Sequence, residues 1–448
     1  MNLALKYLSP LIYNLRYGRV VQLSKEFAIR QWWSSEDLLR FGYQRARSLA
    51  IHSSNNVPYY RRLFNNLGID ATTMNLPEDW NRLPVLEKDT LRSQYNGLIA
   101  ETEHAKRARQ NHSGGSTGKP VAFLSDLVLY EIMAANMRLI FSWAGWRPGE
   151  MVLHLWGGQG PKLPLSIWNQ LKVLFSGNLV LPVYSYDDHV FMRWWEVINI
   201  YKPTIIYTYP SVISDFSLWL ESKGFKPEGI KGVFCSAEVL LDNHRKIIER
   251  IFNCKVYNQY GSRETPCVAC ECPEGNMHIF VDLNRVEFLN QTEERGPKKI
   301  IVTPLENYAQ PLLRYDLGDM GFQKPGKCSC GRGYPLMDLT IGRNRDCLST
   351  SDGRRIYPGF VTRFLDGENW VRNFQFRQRK INLIELSLEV SDRFNSKELI
   401  NRLSLKLQPK LKDMMGSDVN LNINLVDSIE RTAAGKHRFV INEIEENK

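Results

Sequence analysis

From residue 151 to residue 257 the chain alternates short apolar runs with segments of helical length, and no other feature of it constrains the fold as much. Met151-Val152-Leu153-His154-Leu155-Trp156 reads as a buried strand stopped by Gly157-Gly158. Helices are expected over 187–199, from Ser211 to Gly224 and over 241–252, with strands at 204–207, 232–235 and 255–257 between and after them. Strands alternating with helices at this spacing make βαβ units and a parallel sheet. Ligands of such sheets bind beyond the carboxyl ends of the strands. The residues to watch are therefore Gly157-Gly158, Tyr209-Pro210-Ser211, Ser236-Ala237-Glu238 and Tyr260-Gly261-Ser262-Arg263-Glu264.

Upstream, Ser34 or Ser35 caps a helix with Leu39, Tyr43, Ala46 and Leu49 at helical spacing, and a second helix is expected over 127–142. Downstream the pattern turns antiparallel, with short strands at 279–282, 286–289 and 299–303. After Asp346 come a strand (381–390), a helix (397–411), a strand (419–426) and a polar loop ending at Lys436. The expected fold class is α/β. A large domain over residues 1–346 carries parallel βαβ sheets and a small antiparallel, barrel-like part, and residues 347–448 form a small α+β domain.

Between the first helices and the alternating region lies Asn111-His112-Ser113-Gly114-Gly115-Ser116-Thr117-Gly118-Lys119-Pro120. Three glycines, several hydroxyls and a lysine can wrap backbone N–H groups around a phosphate with a cation at hand. It is not a Walker loop, because only three residues separate Gly114 from Gly118 and Pro120 stands where the metal-binding hydroxyl belongs. The apolar run Val121-Ala122-Phe123-Leu124 that follows makes it the turn of a hairpin, without a helix dipole.

Composition narrows the class. With 448 residues, 43% hydrophobic and 24% charged, the chain is globular and long enough for two or three domains. A net charge of +10, spread without a basic block, suits an anionic small molecule. No run of residues has the length of a membrane span, so the expected location is the cytoplasm. The basic N-terminal stretch with Leu3, Leu5, Leu8, Leu11 and Ile12 can rest on a membrane surface, although packing against the body is its expected use.

Five stretches then fall in a telling order: HSGGSTGKP at 112–120, YGSRE at 260–264, RYDLGD at 314–319, GRNRD at 342–346 and TAAGK at 432–436. This order resembles the adenylate-forming (acyl-adenylate ligase) superfamily. The NVPYY opening, the cysteine placement and the CSCGR segment resemble its phenylacetate–CoA ligase branch, including capsule-biosynthesis-associated members. The resemblance implies that a carboxylic acid and ATP give acyl-AMP and pyrophosphate, and that the acyl group passes to an acceptor. CoA is the expected acceptor, and a carrier-protein pantetheine or an amine is the alternative.

The resemblance also implies roles. Ser113, Gly114, Gly115, Ser116, Thr117, Gly118 and Lys119 would hold the triphosphate, and Glu264 would bind Mg²⁺ as a hard oxygen ligand. Asp319 would accept from the ribose hydroxyls with Arg343 nearby, and Tyr260 would stack on adenine beside Ala237 and Glu238. Lys436 would bridge the carboxylate and the α-phosphate from a small domain that swings at a hinge near Asp346. Thr432-Ala433-Ala434 and Arg345 depart from the superfamily pattern without removing a reacting group.

Crowded cysteines in a reducing compartment point to metal before disulfide. Cys272, His278, Cys328 and Cys330 are the expected ligands of a closed, structural Zn²⁺ site, with Cys267 or Cys270 as substitutes. The rival from another class is a basic, zinc-containing nucleic-acid-binding protein. Against it, no recognition module gathers the basic residues.

Overall fold

The computed structural model describes residues 19–112, 121–157, 173, 176–183, 186–290, 297–343, 347–356, 361, 363–365, 368, 370–390, 396–430 and 437–446. Helix α1 (Val20–Arg30) leads into α2 (Ser35–Asn56), whose N-terminus is capped as expected: Ser34 Oγ accepts from the Asp37 N–H at 3.0 Å, with Glu36 and Asp37 in the first turn. Helix α2 buries Leu38, Gly42, Ala46, Leu49 and Ala50, and Pro58 opens α3 (Pro58–Leu67). Strands β1 (Arg109–His112) and β2 (Ala122–Ser125) form an antiparallel pair with His112 opposite Ala122, so the glycine-rich stretch joins a hairpin. Asp126 then caps α4 (Leu127–Trp143) through the Val128 N–H at 3.1 Å.

The alternating region forms β3 (Val152–Trp156), β4 (Asn178–Pro182), α5 (Asp188–Tyr201), β5 (Ile205–Thr208), α6 (Pro210–Lys223), β6 (Gly232–Ser236), α7 (Asp242–Phe252) and β7 (Lys255–Tyr260). Its strands pair in parallel, in the order β7-β6-β5-β3-β4. The side-chain period of two divides them cleanly. Val152, Ile205, Phe234 and Tyr257 join the core shared with α4 and the N-terminal helices. Leu153, Ile206, Val233 and Val256 join Phe191, Trp194, Phe216 and Phe252 of α5, α6 and α7 on the opposite face. Each fully buried side chain of this size contributes roughly 1.5–3 kcal/mol.

The antiparallel strands continue the same sheet. β8 (Ala269–Glu271), β9 (Met277–Ile279), β10 (Asn284–Leu289), β11 (Lys298–Pro304), β12 (Tyr315–Lys324) and β13 (Leu336–Arg343) extend it in the order β10-β11-β12-β13-β9-β8-β7, giving eleven described strands. The strand expected at 279–282 is shifted toward the N-terminus, because Phe280 to Leu283 turn the chain, with the Leu283 N–H bonded to the Phe280 carbonyl at 3.0 Å.

A second sheet follows the two-residue strands β14 (Leu348–Ser349) and β15 (Arg355–Ile356). It holds β16 (Val371–Lys380), β17 (Leu383–Val390), β18 (Asn420–Leu425) and β19 (Val440–Asn442) in the order β18-β17-β16-β19. Helix α8 (Ser396–Met415) covers it with Leu403, Leu407, Leu411 and Met415. Among the described residues no helix is long and apolar enough to cross a membrane. Leu3, Leu5, Leu8, Leu11 and Ile12 of the N-terminal stretch lie outside the described residues.

Candidate active site

The carboxyl ends of β3, β5, β6 and β7 open on one side of the parallel sheet, as βαβ topology requires. At β3 and β5, Trp156 stacks on Tyr207 (ring centroids 4.8 Å, 19°) and on Tyr209 (4.3 Å, 30°), and Tyr209 Oη accepts from the Gly157 N–H at 3.3 Å. This aromatic wall is anchored from beneath. Tyr207 Oη and Ser236 Oγ both donate to Gln259 Oε1, at 3.1 and 2.6 Å. Burial pushes the Tyr207 phenol well above its ordinary range, so it remains a donor.

Past β6, Ala237 has φ 68°, a left-handed conformation that costs an L-residue energy and turns the chain sharply over the strand end. Glu238 follows it. Its Oε2 accepts from Ser211 Oγ at 2.7 Å, and its Oε1 accepts from the His437 N–H at 2.8 Å.

Past β7 the chain turns over Ser262 and Thr265, whose backbone and side chains bond each other at about 3.0 Å. This turn supports two of the expected residues. Glu264 is 5% exposed, and its Oε1 accepts from Tyr315 Oη at 3.3 Å. Burial, and then the neighbouring Glu264 carboxylate, push the Tyr315 phenol above its ordinary range and keep it protonated. Arg263 Nη1 donates to the His112 carbonyl at 3.2 Å, which ties the turn to the mouth of the hairpin. Tyr260, 9% exposed, donates through Oη to Asp319 Oδ2 at 3.1 Å. Asp319 stands at a register shift in β12, opposite Arg343 of β13.

Tyr260, Glu264, Asp319, the Ala237-Glu238 turn and the end of β1 are thus linked by hydrogen bonds or adjacent strands. Ser113, Gly114, Gly115, Ser116, Thr117, Gly118, Lys119 and Lys436 lie outside the described residues, as does the Arg343 side chain. Tyr315 and Gln259 were not singled out from the sequence, although each lies within or beside a quoted stretch, and Arg263 was named there without a role. A residue that fixes a functional side chain tends to sit close to it in the chain, and that is the signal that could have found them.

A carboxylate held nearly dry beside a phosphate-type hairpin is suited to a divalent cation with oxygen ligands, and Glu264 fits that role. The second candidate metal group is built on β9 and two turns. Cys272, His278, Cys328 and Cys330 bring their ligand atoms within 4.8 Å of one another. Cys272 Sγ lies 3.6 Å from Cys328 Sγ, and Cys330 Sγ lies 3.3 Å from His278 Nε2. A tetrahedron with metal–sulfur bonds of about 2.3 Å has edges of roughly 3.7 Å, so the group fits zinc-like coordination.

His278 Nδ1 faces the Tyr334 carbonyl at 3.1 Å, which leaves Nε2 for a metal. Burial lowers its pKa to about 4, so the ring is neutral at pH 7. Burial raises the Cys328 thiol, but the Cys330 amide and the neighbouring side chains outweigh it and the net shift is downward. Cys267 and Cys270 are not members of the group. The turn after Cys330 clasps the N-terminal helices, since Arg332 Nε and Trp143 Nε1 both donate to Gln31 Oε1 at 2.9 Å.

Comparison with known proteins matches this architecture. Residues 348–443 match the CapK C-terminal domain. The chain is 27% identical to a phenylacetate–coenzyme A ligase of Thermus thermophilus over 439 residues, 91% of this chain and 96% of that one. It is also 27% identical to protein CapK of Staphylococcus aureus over 440 residues, 93% and 92% of the two chains. Among solved structures, 2-hydroxyisobutyryl-CoA ligase in the postadenylation state with 2-HIB-AMP superposes with a TM-score of 0.74 at 20% identity, covering 93% of this chain and 92% of that one. The same ligase with 2-HIB-AMP and CoA in the thioesterification state gives 0.60 at 20% identity, covering 92% and 91%.

Proposed function

We propose that this chain, which has the fold of the acyl-CoA ligases of the adenylate-forming superfamily and counts phenylacetate–CoA ligases and CapK among its relatives, activates a carboxylic acid with ATP and passes the acyl group to CoA. A carboxylate oxygen attacks the α-phosphorus, the bond to the β-phosphate breaks, and pyrophosphate leaves. The CoA thiol then attacks the acyl carbonyl and AMP departs. Residues 1–346 form the adenylation domain in this reading, and residues 347–448 form the small domain that brings Lys436. CoA is preferred over a carrier protein or an amine as acceptor because the relatives and structural neighbours include several named as CoA ligases.

The observation that carries the reading is the bond between Tyr260 and Asp319, which joins two of the five motifs, one at the end of β7 and one at the register shift within β12 of the same sheet. In this mechanism the Tyr260 hydroxyl orients the Asp319 carboxylate to accept from the ribose hydroxyls, and the Tyr260 ring meets adenine beside Ala237. Ser113 to Lys119 receive the phosphates, Arg343 supports the nucleotide, and Lys436 bridges the reacting oxygens. Glu264 would hold Mg²⁺, which when bound offsets charge on the phosphates. The acid lies against the wall of Trp156, Tyr207 and Tyr209. Cys272, His278, Cys328 and Cys330 would hold zinc with four protein ligands, a closed set suited to a structural ion. In this reading the protein works in the cytoplasm, where ATP and CoA are at hand.

The test is acid-dependent ATP–pyrophosphate exchange over a panel of aromatic, fatty and amino acids. One class of acid is expected to support exchange, and Lys436→Ala is expected to lower it by roughly 10²–10³-fold, as loss of a group stabilising developing charge does. Exchange with none of the acids overturns the reading, and unchanged exchange in the variant removes Lys436 from it.

A further inference from the structure

We propose that Glu238 is a positioning residue that latches the C-terminal sheet against the parallel sheet in the arrangement used for acid activation. The proposal rests on the acid-activating function put forward above. Glu238 is fixed on the parallel-sheet side: Ala237 turns the chain over the end of β6, and Glu238 Oε2 accepts from Ser211 Oγ at 2.7 Å and from the Ser211 N–H at 3.3 Å, in the first turn of α6. Its other oxygen reaches 199 residues along the chain to the His437 N–H at 2.8 Å.

His437 is rigidly part of the C-terminal body. Its ring is buried, with Nε2 2.9 Å from the Phe374 carbonyl and its centroid 4.4 Å from that of Phe439. Gln375 Nε2 fixes the next residue through the Arg438 carbonyl at 2.9 Å. Leu241, three residues beyond Glu238, packs in the core of the C-terminal sheet. A carboxylate bonded to a backbone N–H is one of the stronger hydrogen bonds in a protein. This one holds the residue that directly follows Lys436 in the sequence.

The chain superposes on 2-hydroxyisobutyryl-CoA ligase with a TM-score of 0.74 in the postadenylation state and 0.60 in the thioesterification state. On this proposal the bond is made in the first arrangement and broken in the second, and such a contact biases the equilibrium between them by its own free energy. Glu238 therefore favours the first half-reaction over the second.

Two measurements decide it. Glu238→Ala is expected to lower ATP–pyrophosphate exchange roughly ten- to hundred-fold relative to thioester formation from a supplied acyl-adenylate, with the KM for ATP little changed. Glu238→Gln keeps an acceptor oxygen and is expected to recover most of that ratio. Independently of activity, amide hydrogen exchange in the peptide containing His437 is expected to be faster in Glu238→Ala and close to wild type in Glu238→Gln. An equal fall in both half-reactions, a raised KM for ATP at unchanged kcat, or identical amide exchange in all three proteins overturns the latch. A wild-type protein with no acid-dependent exchange sinks the proposed function instead, and amide exchange alone then decides the latch.

Discussion

Tyr260 and Asp319 stand 59 residues apart and meet through one bond, so the two side chains can be separated by experiment. Asp319→Ala removes the expected acceptor for the ribose and should raise the KM for ATP by about tenfold or more, the worth of a hydrogen bond to a charged group at about 1.5–3 kcal/mol. Tyr260→Phe keeps the ring and loses only the orienting bond, so its penalty should be nearer ~1 kcal/mol. Steady-state kinetics at varied ATP checks both, and equal effects would show that orientation matters as much as the carboxylate. Glu264→Gln keeps the Tyr315 partner while removing the charge. It should lower exchange and raise the Mg²⁺ concentration needed for half-maximal rate. Tyr260, Glu264 and Asp319 could be named as candidates from the sequence because the motifs they sit in resemble a set that occurs in a fixed order, and the structure brings Tyr260 and Asp319 into contact. The bond from Glu238 to the His437 amide was not legible there, since it depends on how two sheets face each other and any backbone N–H could have served.

At the scale of elements, the parallel strands β3, β5, β6 and β7 were readable because strands buried on both faces appear as nearly continuous apolar runs. β16 was not. It reads Val-Arg-Asn-Phe-Gln-Phe-Arg-Gln-Arg-Lys, yet its Asn373, Gln375 and Gln378 are buried. Gln378 accepts from the Ser349 N–H at 2.7 Å and donates to the Ser349 carbonyl at 2.7 Å, so a side chain replaces part of a backbone ladder. Hydropathy cannot distinguish such a strand from a polar loop. The edge strand β4 was missed for a related reason, because Val180 and Pro182 on one side of it are exposed. One helix contact gives a sharp stability test. A Cβ on Gly42 of α2 would collide with the Val281 carbonyl oxygen, and backbone meets backbone there. Gly42→Ala should destabilise the protein by about 1–3 kcal/mol or more through overpacking, seen as a lower denaturation midpoint. A midpoint equal to wild type would mean the helix can shift freely.

For the whole molecule, the four-ligand group is the element whose loss should be felt farthest away. Purified protein should carry about one zinc per chain, and Cys328→Ser should lose it. Chelation should lower the melting temperature, because a structural ion contributes its binding free energy to folding. Absence of zinc from the wild-type protein would refute the assignment. The cysteine spacing revealed the group, but not what depends on it: Arg332 lies over Trp143 at 4.6 Å and over Trp32 at 5.0 Å, so the turn carrying Cys328 and Cys330 clasps the N-terminal helices.

That clasp has a consequence for synthesis. Gln31 waits for Arg332, 301 residues later, and Arg30 waits for Asp282, 252 residues later. At about 5–20 residues per second, a ribosome leaves these two contacts unmade for roughly 13–60 s, long after Trp143 of α4 has reached Gln31. Phe27, Leu38 and Leu49 end as core of the same cluster as Phe280 and Tyr334, so their burial is complete only when that late part of the chain is made. Truncation before residue 330 should yield aggregates, with no partly working enzyme.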